Sequence, residues 1–466
     1  MSSPAPRPTP AGAASAEPGL PPGQVDLTHP DRRPEWIALA VAAGALWLAF
    51  TGEEWGRWWG DVHAWLEPIS AFLNPTIGPG LPLAAGVALL VTTQGATWAQ
   101  RLSWRQLLLT SWLTGLVWSV GLALIRGWSG ITKPLTNDHE YLVDVPRVDD
   151  LTTLIPTFLD RVDIRGDEQW ITHVAGHPPL TFLSFLWLDR IGLGGPVWGG
   201  VVITALGSTA IVAVLVTLRI LGDEQRARVL APFLVLTPLV AWSVVSADGV
   251  FMAVAAWGLA VLAAAAMAPT WPRAAILGAG AGVVLGIGIN LSYGLLLVGT
   301  LALAVLAAAR TVRPLLPAVL GALVVVGVFA ALGFWWLEGQ ERLVNRYYMG
   351  IARNRPYSYW IWANLAVVCF CVGPAVVAAA GRAVAQVRAS AVQWSAAWLL
   401  AIGGAAAIVV ADLSGLSKSE VERIWLPFML WLVPLVALLD VHDRRRWLAA
   451  QAGWTLLISS VLRFTW

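Results

Sequence analysis

The sequence predicts an all-α fold, a polytopic transmembrane helical bundle, and three observations predict it. Of 466 residues, 57% are hydrophobic and only 12% charged, a balance too apolar for an ordinary soluble globule. Apolar runs approaching the ~20 residues that a helix needs to cross a bilayer recur about thirteen times along the chain. Arginines gather in short clusters between those runs, which is how loops record their side of a membrane. A net charge of +2, with no continuous basic stripe, argues against nucleic acid as a partner. Cys369 and Cys371 share one apolar segment. They are too close in sequence for an ordinary disulfide and read as small core residues.

Residues 1–34 are rich in Pro, Ala and Gly without an apolar core, so they read as a disordered cytoplasmic tail and not as a signal peptide. The transmembrane domain then runs from 35 to 466. Its apolar runs lie near 36–51, 80–98, 107–126, 196–219, 229–246, 250–268, 273–289, 292–309, 315–337, 359–381, 393–411, 424–440 and 448–462. Arg32 and Arg33 place the N-terminus inside. Strict alternation then puts Arg101 and Arg105, Arg219 to Arg228, Arg273, Arg310 and Arg313, Arg382 and Arg388, and Arg444 to Arg446 on that same side. Three charged stretches, the first two also carrying aromatics, are left outside, near 127–195, 338–358 and 412–423. Lys133 and Lys418 are the only lysines. That usage suits a high-GC bacterium, so the expected location is a bacterial plasma membrane with the site on the extracytoplasmic face.

The first outer stretch carries nine acidic residues between Asp138 and Glu168 against four basic ones from Lys133 to Arg165. The other two bring Arg342, Arg346, Arg353, Arg355, Lys418 and Arg423. Asp149, Asp150, Asp160, Asp163 and Asp167 read as hydrated surface. Asp138 and Glu140, in "NDHEYLVDV", differ. They follow an apolar helix closely and lead into Tyr141, where a membrane-dissolved substrate presents its headgroup. "HPPLTFLSFLWLDR" starts a helix with its Pro pair but is too short to span, so an interfacial helix on the outer leaflet is expected. His173 and His177, spaced i, i+4, are not by themselves a metal site. They read as partners for a substrate hydroxyl or a loop carbonyl, with no cofactor expected and a divalent cation left as the alternative. Asp248 faces the same side, either as a helix cap or as a binding group.

This order of features resembles the GT-C superfamily, polytopic glycosyltransferases that use lipid-phosphate sugars and include protein O-mannosyltransferases and the lipid A aminoarabinose transferase. An acidic motif follows an early helix. "W" and "HPPL" come next, then an outward Asp and a Tyr/Arg-rich loop ending "YSYW". The similarity covers roughly residues 107 to 440. It implies a GT-C-like fold, with the family's loop acid at Asp138 or Glu140, its W…PPL element at Trp170 and Pro178 to Leu180, and its outer Asp at Asp248. Two apolar segments precede the helix that is normally first, and the acidic pair is "DHE" rather than adjacent.

Transfer of a sugar from a polyprenyl phosphate to a hydroxyl requires one base, since the phosphate leaving group needs no acid. Hydrolysis usually requires a spaced pair of carboxyls. The cationic outer loops favour transfer, because guanidinium forks match phosphate oxygens. The expected assignment makes Asp138 the base and Glu140 its orienting partner. Arg353, Arg355, Lys418 and Arg423 hold the donor phosphate, with Tyr141, Trp170, His173, His177, Asp248, Tyr347 and Tyr348 lining the substrate. The expected partners are the lipid bilayer, a polyprenyl-phosphate sugar donor and a cell-envelope glycan, lipid or protein acceptor. A multi-span transporter or flippase is the rival reading, weakened by spans that carry almost no charge.

Overall fold

A computed structural model describes residues 31–51, 62, 64, 66–163, 166 and 168–464. Most of the tail expected over 1–34, together with Asp167, lies outside the described residues. From Arg33 onward the chain forms one compact, all-α unit.

Among the described residues, seven helices are long and apolar enough to cross a membrane. They are α1 (Arg33–Phe50), α2 (Gly80–Arg101), α3 (Trp104–Arg126), α5 (Gly195–Ile220), α7 (Ala247–Ala266), α8 (Trp271–Leu291) and α14 (Ala396–Leu413). Two bent pairs raise the number to nine: α10 (Leu315–Ala331) with α11 (Trp336–Met349), at 76°, and α12 (Tyr357–Val372) with α13 (Pro374–Arg388), at 115°. The other four apolar runs form shorter or less apolar helices. These are α6 (Glu224–Val235), α9 (Val298–Ala309), the broken α15 (Leu426–Leu438) and α16 (Arg444–Val461). The count of about thirteen spans therefore reduces to seven to nine by length and composition. Proline interrupts α6 and α15, arginines load the start of α16, and α9 is shortened by a 3-10 turn over Tyr293–Leu297.

Packing explains the small residues. α8 lies against α10, where a Cβ added at Gly282 would collide with the Ala318 carbonyl. Such close backbone approach is what holds helices together where lipid removes any hydrophobic preference for the interior. α13 runs beside α1, and Arg382 closes on Glu35 at 2.6 Å.

The arginine clusters collect at one end of the bundle. There Arg228 donates to the Ala99 and Leu102 carbonyls, and the Asp223 carboxylate accepts from the Ala397 N–H that begins α14. The charged loops collect at the other end. Arg342 pairs with Asp163 at 3.2 Å, so that carboxylate is bound and not merely hydrated. Arg346 donates to the carbonyls of Val162 and Trp170, and Arg355 to that of Lys418. At this end a small antiparallel ribbon pairs β1 (Ala71–Leu73) with β2 (Leu462–Phe464).

The helix begun by the Pro pair, α4 (Pro179–Leu188), turns most of its surface into the protein. Pro179, Thr181, Phe182, Leu183, Phe185 and Leu186 are buried, and Thr181 donates to the Leu291 carbonyl at the end of α8. A helix with an apolar and a charged face is α11, in the stretch expected to be loop. It exposes Leu337, Tyr348 and Met349 while its arginines reach into the acidic loop.

Candidate functional site

The three carboxylates of "NDHEYLVDV" have three different environments. Asp138 is exposed, and its side chain has no hydrogen bond or ion pair among the described residues. Asp144 is fully buried, with Arg147 at 2.6 Å and the Ile171 N–H at 2.9 Å, so it fastens the loop to itself. Glu140 is 5% exposed and faces His173 and Arg423.

Arg423 is the centre of this group. Its Nη1 lies 3.3 Å from Glu140 Oε1, its Nε 3.0 Å from Asp248 Oδ2, and its Nη2 2.9 Å from His173 Nε2. A guanidinium only donates, so His173 Nε2 accepts. His173 Nδ1 lies 2.9 Å from Glu140 Oε1. Burial pulls the Arg423 guanidinium down, but Asp248 and Glu140 more than offset it and leave the group more firmly protonated than usual. Burial alone would raise the Glu140 carboxyl. Its contacts with His173 and Arg423 outweigh that and hold it at about 2.

The surrounding shell is aromatic. Tyr141 stacks on Phe185 with centroids 4.9 Å apart, and its hydroxyl lies 2.9 Å from His177 Nδ1. Burial pushes His177 down to about 4, with Asp248 opposing, so the ring is neutral near pH 7. Ser246 caps α7 by accepting from the Asp248 N–H and donates its hydroxyl to Asp248 Oδ2 at 3.0 Å. Capping thus falls to Ser246, which leaves the Asp248 carboxylate for Arg423.

The backbone is strained on both sides of this cluster. Val245 has φ of 56°, and Ser419 and Glu420 have φ of 76° and 61°. A β-branched residue in the left-handed region is a genuine outlier, and such residues persist only where their surroundings over-determine them, most often at functional sites.

Several expected site residues are placed elsewhere. Trp170 is 2% exposed, donates to the Phe158 carbonyl and stacks on Phe158, with Arg161 over its other face. It belongs to the core of the loop and not to a sugar platform. Arg423 faces Glu140, Asp248 and His173, so a donor phosphate would share it with two carboxylates. Lys418 is buried, donates from Nζ to the Ala352 carbonyl at 3.2 Å and lies over the Tyr348 ring, while its backbone N–H donates to the Tyr347 hydroxyl. Burial, then Arg355, lowers its pKa. Arg355 is half-buried beside it, and Arg353 is exposed. Lys418, Arg355, Tyr347 and Tyr348 thus form a second, cationic corner. Among the described residues no group of three His, Cys, Asp or Glu side chains is arranged to hold a metal ion, and in the main cluster a guanidinium occupies the position between the carboxylates.

Glu422 was missed by sequence reasoning. It is fully buried, accepts from the Ser70 N–H at 2.7 Å, and its Oε2 has no hydrogen-bond partner among the described residues. Its one sequence signal is an acid directly before an apolar run, in "SEVERIWLPF". No family model matches this chain, and neither does any curated protein or solved structure.

Proposed function

We propose that the chain is a GT-C-type membrane glycosyltransferase, moving a sugar from a polyprenyl-phosphate donor to an acceptor hydroxyl at the extracytoplasmic face, with inversion. The observation that carries this reading is the Glu140–Arg423–Asp248 cluster, buried where the acidic and basic loops meet and flanked by strained backbone. Charge gathered at one end of a bundle suits chemistry on a lipid headgroup better than passage through the middle.

Within this reading the two carboxylates divide the work. Glu140, held at about 2 by its partners, is a poor proton acceptor near neutrality and serves to anchor the loop. Asp138, two residues earlier and unencumbered, takes the acceptor's proton as the oxygen attacks the anomeric carbon. The phosphate leaves toward Lys418 and Arg355, which take over the role expected of Arg423. The test is transfer from labelled polyprenyl-phosphate sugars by the purified protein, with the anomeric configuration of the product determined. Asp138→Asn is expected to remain folded and lose transfer by at least about 100-fold, the scale of a general base. Full transfer by that variant would remove Asp138 from the reaction, and failure of every donor would remove the glycosyltransferase reading.

One observation favours transport instead. The run near 229–246 is broken: α6 stops at Val235, and the chain turns irregularly to Ser246. It borders a small, mainly apolar cavity whose lining includes Ser119, Thr204, Ser208, Thr237 and Ser243. Interrupted helices are a transporter feature. Uptake of a labelled lipid-linked sugar into proteoliposomes, without chemical change, is the outcome that would select it.

A further inference from the structure

Ser70 fastens the strap that carries Arg423 at two points. Its hydroxyl lies 3.0 Å from that of Ser419, and its N–H donates to Glu422 Oε1 at 2.7 Å. Ser419 and the Glu420 that follows it are both in the left-handed region, so the staple holds the strained turn at its start and just beyond its end. The next residue is Arg423, whose guanidinium holds Glu140 and Asp248. The loop that supplies Ser70 leads directly into β1.

We propose that Glu422 is a proton-operated latch: in its neutral form it keeps the strained strap stapled to Ser70 and so sets the position of Arg423, and on ionisation it lets the strap go.

The groups around it define the direction. Ser70 faces Glu422 from the β1 loop and Cys371 from α12, with Ser419, Glu420 and Arg423 on its own strap. Arg423 is the cation among them, and it is already engaged by two other carboxylates. An ionised Glu422 would leave Oε2 as buried, unpaired charge, a larger penalty than the unsatisfied hydroxyl of the neutral acid. Burial is accordingly the main influence and pushes the carboxyl up to about 7, opposed by the N–H groups of Glu422 itself and of Ser70 and reinforced by Glu420. The latched state binds a proton that the released state gives up. Its stability is therefore greatest below the ordinary glutamate range and falls as pH rises to about 7. This holds whatever chemistry the cluster performs.

The test is hydrogen exchange of the 415–424 amides in the full chain in lipid nanodiscs, at about pH 5.5 and about pH 8.5, corrected for the intrinsic pH dependence of exchange. Protection is expected to fall by roughly tenfold at the higher pH in the wild type. Glu422→Gln should keep the higher protection at both values. Glu422→Leu, neutral throughout but without an acceptor for the Ser70 N–H, should show lower protection that does not change with pH, and it is the variant to read should the glutamine one not fold. Equal protection of the wild type at the two pH values overturns the latch, and so does the same fall in either neutral variant. No substrate enters this measurement, so its failure leaves the proposed transfer reaction untouched.

Discussion

Remove the Arg423 side chain and two buried carboxylates, Glu140 and Asp248, are left facing each other without a counter-ion. Stranding buried charge in this way costs about 3–5 kcal/mol, so Arg423→Gln is expected to lower the thermal midpoint sharply. Arg423→Lys should restore it only in part, since an ammonium does not reproduce the fork that reaches Glu140, Asp248 and His173 together. A midpoint equal to the wild type would show that the cluster contributes nothing to the fold. Glu140 adds a dependence at acid pH. Its carboxyl is depressed in the folded chain, so its contribution is complete above the unfolded pKa near ~4.3 and is lost as pH falls through about 2. Glu140→Gln should flatten the melting curve over that window. Sequence reasoning singled out Glu140, Asp248, Tyr141 and both histidines because acids and aromatics are conspicuous among apolar spans. It assigned Arg423 to a phosphate because its partner Glu140 is 283 residues away, and nothing local records so distant a pairing. Trp170 was misplaced for a related reason: an indole on a loop looks exposed until the loop proves to have a core of its own.

At the scale of elements, close helix contacts and broken spans behave differently. α8 and α10 touch through Gly282, and Gly282→Val should destabilise the pair by about 1–3 kcal/mol through overpacking. Reduced recovery of folded protein on size-exclusion chromatography is the readout. Gly280 has open space at its Cβ position, so Gly280→Val should be tolerated and serves as the control. Hydropathy located nearly every helix because an apolar run has few other uses in a membrane protein. It did not reveal where a run breaks. The segment near 229–246 reads as a continuous span, yet Thr237–Pro238 stops it: proline lacks the N–H that the helix requires and biases the residue before it away from helical geometry. The amphipathic α11 was hidden in the same way, its charged face making the stretch look like loop.

Across the whole molecule, the arginine clusters and the acidic and basic loops occupy opposite ends of the bundle, which is how the alternation of Arg-rich turns was read. The side each end faces is a prediction. With Cys369 and Cys371 replaced by serine, Asp138→Cys should react with a membrane-impermeant maleimide on intact cells, and Arg445→Cys only after permeabilisation. The reverse pattern would put the cluster on the cytoplasmic side and exclude an extracytoplasmic donor.

The ribbon between β1 and β2 has a consequence for biogenesis. Among the described residues β1 pairs with residues 462–464, so it must wait for its partner while the ribosome delivers the helices between them. Ser70, adjoining β1, waits with it. The chain therefore assembles its loop face late, after its helices have been threaded, and an arrested or shortened translation product would hold inserted helices beneath an unclosed face.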